Sequence, residues 1–370
     1  MPDPVFKWNT YYEFGTDEYL ELCLKQKIMP QIVVNIGSGT PEEAGEWAAY
    51  CAAWYKKRGV ELPLIYWQMG NEHNGDWELG NMTGEMYAEA LREFVPLIRK
   101  SYPKTRIIAI GVDKGAGMYS GESFPWRKPV LEKAADLIDV LAVQCYTGGL
   151  NEDKTLQHHT VFKNAKHIAS IIQSVINDLK SRGLKKKVAI TEWNLWFYAT
   201  HYDGKGFLEP YDVQHGLFVA AMLHHFIRLA PDLELANFYH LVNPMGIFIS
   251  RGPELEETLL ADVFRLYRPG FPGEVVPLKM SSPALVDDIP AVDATCLNTS
   301  EASWLFLANR SLNEQAQIVT DGLPDVMDGV TLFGDTPQGS FETVSSKISG
   351  SQVNLPPLSL TRLRMKKQNN

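Results

Sequence analysis

Between Gln31 and about Ile249, short and almost wholly apolar runs alternate with longer stretches of helical period. This alternation restricts the chain to βα units around a parallel sheet. The candidate strands are QIVVNI (31–36), PLIYWQM (63–69), RIIAIG (106–111), DVLAVQC (139–145), KVAIT (187–191) and ELANFYHLV (234–242). Runs that are apolar on both faces suit strands covered on both sides. Helices are expected over about Thr16–Lys27, Thr40–Arg58, Thr83–Ser101, Thr160–Arg182 and Asp212–Leu229. The sharpest start is Thr40-Pro41-Glu42-Glu43, a capping box with proline at the first helical position. Pro96 is expected to bend the third helix.

Past Arg268-Pro269-Gly270 the texture changes to short runs such as ASWLFLANR and SLTRLRM, separated by Gly, Pro, Asp and Ser. The expected organisation is an α/β domain over 1–268 and an all-β sandwich over 269–370. With 370 residues, 45% of them hydrophobic, the chain can build one large core and a smaller appended one. A net charge of −9, with no basic run longer than Lys185-Lys186-Lys187, argues against nucleic acid or anionic membranes as partners. The opening MPDPVFKWNT lacks a basic stretch followed by an apolar one, and no apolar run is long enough to span a bilayer, so a cytoplasmic protein is expected. Cys23, Cys51, Cys145 and Cys296 lie far apart and read as reduced, buried thiols.

In parallel α/β domains, functional groups gather at the carboxyl ends of the strands. Asn35, Asn71 with Glu72, Gln144 with Tyr146, Glu192 with Trp193 and Asn194, and Asn243 all fall at or just past such ends. Glu72 and Glu192 are the candidate catalytic pair. Hydrolysing a glycosidic bond with retention needs one carboxyl group to protonate the leaving oxygen and another to attack the sugar carbon. The other seven are candidate substrate-binding residues. His158-His159 and His224-His225 lack the spacing of a helical metal site, and the Gly37-Ser38-Gly39 turn lacks the lysine of a phosphate loop. No metal and no cofactor are expected.

The string W-x-x-G-N-E at Trp67 to Glu72, followed 120 positions later by T-E-W-N around Glu192, resembles the clan A retaining glycoside hydrolases. TDEYLELC, IVVNIGSGTPEEA, WQMGNE and LVNPMG most resemble family 51, the α-L-arabinofuranosidases and related enzymes, from about Phe14 onward. The resemblance implies a (β/α)8 barrel with a C-terminal β-sandwich, Glu72 as general acid/base and Glu192 as nucleophile. It further implies Asn71 on a sugar hydroxyl, Tyr146 orienting the nucleophile, and an oligosaccharide or polysaccharide substrate.

Departures from the family pattern set further expectations. QIVVNI corresponds to the third barrel strand, so six of eight units are expected, with a homo-oligomer covering the exposed barrel edge. Gln144 stands where the family has a histidine, and Pro244-Met245-Gly246 where it often has a sugar-binding glutamine. The acid/base machinery reads as intact and the specificity apparatus as altered. The alternatives to an arabinofuranosidase-like enzyme are therefore an endo-β-1,4-glucanase-type activity and a catalytically weak carbohydrate-binding or subunit protein.

Overall fold

The computed structural model describes residues 13–367 apart from 112–125, 148–153, 196–210, 244, 321 and 350. The chain divides into two compact units, Met1–Val143 and Gln144–Asn370, and the division falls inside a strand.

In the first unit β1 (Gln31–Val34), β2 (Ile65–Met69), β3 (Thr105–Ile110) and the start of β4 (Val140–Thr147) run parallel in chain order. Helices α1 (Thr16–Gln26), α2 (Pro41–Lys57), α3 (Gly84–Ser101) and α4 (Arg127–Ala134) connect or flank them. The capping box at Thr40 forms as expected: Glu43 N–H donates to Thr40 Oγ1 at 3.2 Å and Thr40 N–H to Glu43 Oε2 at 2.8 Å. Helix α3 continues through Pro96, since it buries Tyr87, Leu91, Phe94, Val95 and Ile98 along one side. Each such side chain stabilises the fold by roughly 1.5–3 kcal/mol, comparable to the cost of the missing hydrogen bond. Tyr87 also ties two strand ends together, its hydroxyl donating to Met69 O at 2.6 Å and accepting from Ile110 N–H at 3.0 Å. Short α4 was not legible in the sequence, because eight residues barely exceed two turns.

The second unit carries the end of β4, then α5 (Lys154–Ser181), β5 (Lys187–Leu195), α6 (Val213–Leu229), β6 (Leu233–Phe238) and α7 (Leu259–Tyr267). The strand order of this parallel sheet, β1 to β6, follows the chain. Helix α5 begins at Lys154, ahead of the expected Thr160, and two strand boundaries also differ from the sequence expectation. β5 runs on to Leu195, carrying Glu192 inside the strand rather than beyond it. β6 stops at Phe238, short of the expected 242, because the chain there turns into a hairpin of Phe248–Arg251 and Glu254–Glu257, with Asn243 N–H donating to Phe248 O.

After Gly270 the described residues form strands only. An antiparallel sheet of six strands contains Ser303–Asn309 and Ser359–Met365 at its centre, and a second of three contains Gln352–Leu355. Leu305, Leu307 and Leu363 from the first share one core with Val353 and Leu355 from the second. A buried ionic cluster joins this region to α6. Asp293 accepts from Arg310 at 2.6 Å, from His224 Nδ1 at 3.0 Å and from Arg228. These partners hold the Asp293 carboxyl well below the usual range although burial alone would raise it. Burial lowers the pKa of His224, whose Nε2 accepts from the Tyr267 hydroxyl at 2.6 Å. All four cysteines are buried free thiols.

Candidate active site

Glu72 lies in the first unit, two residues past Gly70 at the end of β2. Gly70 has φ +73°, and a Cβ there would meet the His73 ring at 2.3 Å, so the turn admits only glycine. Glu72 itself has φ +50°, a left-handed conformation that non-glycine residues hold only when the surroundings enforce it. Here Gly75 N–H donates to Glu72 O at 2.7 Å, and the Trp77 indole N–H donates to Glu72 Oε2 at 2.7 Å. The Trp77 ring is 45% exposed, so the carboxyl group is held by a donor that solvent also reaches. Burial, and then the nearby Glu72 charge, raise the pKa of Glu78. The Gly37-Ser38-Gly39 turn packs beneath this loop. A Cβ on Gly37 would meet Leu79 O at 2.2 Å, which explains the glycine without invoking a ligand.

Glu192 lies in the second unit and is held differently. Both carboxylate oxygens accept a hydrogen bond from uncharged groups at the end of β4: Gln144 Nε2 donates to Oε1 at 3.0 Å and the Tyr146 hydroxyl to Oε2 at 2.5 Å. Two donors, one on each oxygen, suit an acceptor-only carboxylate and fix its rotation. The Tyr146 ring meets that of Tyr239 edge-on, with centroids 5.5 Å apart.

The remaining expected residues divide. Asn71 accepts from Gln68 Nε2 at 3.3 Å beside Glu72. Asn35 is exposed, and its Oδ1 accepts from Gly37 N–H and Ser38 N–H, the pattern of an Asx turn. Asn243 is likewise exposed and bridges its own turn, donating to Ser250 O at 3.1 Å and accepting from Ser250 N–H at 2.6 Å. Two expectations need correction. Trp193, 1% exposed, is wedged between Phe226 and Phe238, because strand alternation turns it away from the side that presents Glu192. Asn194 has no exposed surface, and its amide hydrogen-bonds to Tyr239, Met245, Leu195 and His215 instead of facing solvent. Trp196, Phe197, Tyr198 and Pro244 lie outside the described residues. His215, Tyr239 and Trp77 are not among the candidate site residues that the sequence singled out. Only the position of Trp77, five residues after Glu72, offered a signal. Among the described residues no group of three or more His, Cys, Asp or Glu is arranged to hold a metal ion. No helix among them is long and apolar enough to cross a membrane.

No family model matches the chain. It is 29% identical over 251 residues to a probable α-L-arabinofuranosidase C of Aspergillus clavatus, covering 62% of this chain and 49% of that protein. It is 24% identical over 351 residues to an intracellular exo-α-(1→5)-L-arabinofuranosidase of Halalkalibacterium halodurans, covering 86% and 69%. The fold matches the GH51 arabinofuranosidase of Xanthomonas axonopodis pv. citri with a TM-score of 0.80 at 21% identity, over 96% of this chain and 79% of that one. The chain is similar in sequence to α-L-arabinofuranosidases and in fold to a GH51 enzyme. It spans about half the length of the curated fungal proteins it matches. The parallel α/β part and the β-rich C-terminal part are both covered by the fold match to that structure.

Proposed function

We propose that the protein is a retaining glycosidase acting on α-L-arabinofuranosides, with Glu192 as nucleophile and Glu72 as general acid/base. The observation that carries this reading is the grip of Tyr146 and Gln144 on both oxygens of Glu192. Such a grip costs a structural carboxylate its rotational freedom to no purpose, whereas a nucleophile needs a fixed line of attack. In the first step a Glu192 oxygen bonds to the anomeric carbon while Glu72 passes its proton to the departing oxygen. In the second, water gives a proton to Glu72 and displaces Glu192, restoring the starting configuration. Trp77, donating to Glu72, steadies the acid/base through both steps. Gln144 differs from a histidine in that its amide neither takes up nor releases a proton at any working pH, so proton traffic runs through Glu72.

The same reading takes residues 1–268 as an incomplete (β/α)8 barrel domain and 269–370 as a β-sandwich. Ile28, Met29 and Val33, exposed apolar residues just before or within β1, suit a homo-oligomer covering that edge. Light scattering that finds only monomer would remove this element. An intracellular location, named for the Halalkalibacterium relative, is carried here as part of the proposal. No observation among the described residues favours the endo-β-1,4-glucanase-type or non-catalytic alternatives. The deciding experiment is hydrolysis of an aryl α-L-arabinofuranoside followed by NMR of the first-formed sugar. Retained configuration is expected, and either inverted product or no turnover across a panel of aryl glycosides would sink the reading.

A further inference from the structure

The buried amide of Asn194 makes four hydrogen bonds. Nδ2 donates to the Tyr239 carbonyl and, at 2.9 Å, to the Met245 carbonyl, while Oδ1 accepts from Leu195 N–H at 2.7 Å and from His215 Nε2 at 2.8 Å. Carbonyl oxygens only accept, so the amide has a single workable orientation, and His215 must carry its hydrogen on Nε2. Burial pushes the His215 imidazole down to about 3, leaving it a neutral donor. His215 sits in the first turn of α6, its backbone N–H capped by Asp212 at 2.9 Å and its ring stacked on Tyr211. The Tyr211 hydroxyl in turn accepts from Gly246 N–H at 3.2 Å. Tyr211 and Met245 both hold positive φ, 37° and 58°, and Asn194 and Tyr211 between them hold the backbone groups of Tyr239, Met245 and Gly246.

We propose that Asn194, aimed by His215, is a positioning residue for the nucleophile. It fixes the Tyr239 backbone, the Tyr239 ring confines the Tyr146 ring edge-on, and the Tyr146 hydroxyl aligns Glu192. This inference rests on the reading of Glu192 as nucleophile. Neither Asn194 nor His215 touches sugar, so their loss acts on the bond-forming step and leaves ground-state binding in place.

The test compares His215→Met with His215→Gln on an aryl α-L-arabinofuranoside, with rates referred to the folded fraction from circular dichroism. Methionine fills the space without a donor, and glutamine returns an N–H near the place of the imidazole Nε2. His215→Met is expected to lower kcat about tenfold with KM within about twofold, and His215→Gln to recover kcat to within about threefold of wild type. A methionine variant with wild-type kcat, equal losses in both variants, or a change confined to KM would overturn the proposal. Should the methionine variant fail to fold, Asn194→Ser, which withdraws the amide from the Tyr239 carbonyl, must show the same kcat-selective loss, and wild-type kcat there overturns it equally. Glu192→Ala in the same assay separates the two ideas. If it keeps full turnover the nucleophile assignment itself fails, and if it is dead while His215→Met is silent only the positioning role fails.

Discussion

The two glutamates are held in opposite ways. Glu192 sits inside a strand, its oxygens gripped by Gln144 and Tyr146, and Asn194 two residues on is locked to α6. Glu72 sits on a turn at positive φ, its carboxyl group tied to an indole that is nearly half exposed. A nucleophile gains from rigidity, because misalignment by a fraction of an ångström raises the barrier directly. An acid/base must trade a proton with a leaving group and then with water, so some access is part of its work. The difference in support therefore matches the difference in proposed role.

The comparison can be broken at several points. Glu192→Ala is expected to lower turnover by about four orders of magnitude, with azide restoring activity and yielding inverted product. Product of retained configuration from that rescue would place the nucleophile elsewhere. Glu72→Ala is expected to cost about a thousandfold on substrates with poor leaving groups and far less on activated aryl glycosides. Equal losses on both would deny Glu72 its acid role.

A third test sharpens the contrast in support. Helix α6, which bears His215, is anchored through His224 and Arg228 to Asp293. Asp293→Asn leaves the buried Arg310 guanidinium without its carboxylate and should destabilise the fold by about 3 kcal/mol, read as a shift in the urea midpoint. Because the Asp293 carboxyl is held low when folded, its contribution is present above the unfolded value of about 3.9 and is lost as pH falls through the folded value. Acid unfolding of the wild type should thus have a component, below about pH 4, that the variant lacks. Tyr146→Phe removes a hydrogen bond to a carboxylate and should cost about 2 kcal/mol of transition-state stabilisation, or about thirtyfold in kcat. Trp77→Phe, which keeps the ring but removes the donor to Glu72, should cost less than about tenfold, since solvent can replace the indole. A larger loss at Trp77 than at Tyr146 would reverse the comparison.

The apolar runs between Gln31 and Phe238 determined the parallel α/β order by themselves, because strands covered on both faces and amphipathic helices leave different periods in the chain. The Thr40 cap was legible for the same reason, being a contact between residues three apart. Local signals also placed Glu72 just past β2 and Glu192 on the run that forms β5, though not that this strand continues past it to Leu195. The roles of Trp193 and Asn194 were not legible, since adjacent residues on a strand face opposite sides and only the packing of Phe226, Phe238 and α6 reveals what each side meets. His215 joins Asn194 across 21 positions and Tyr239 joins Tyr146 across 93, and nothing in either neighbourhood announces the partner. Contacts of that range exist only once the backbone has been placed. Sequence determined which groups the chain carries to its strand ends, and tertiary structure decided which of them are spent holding the others still.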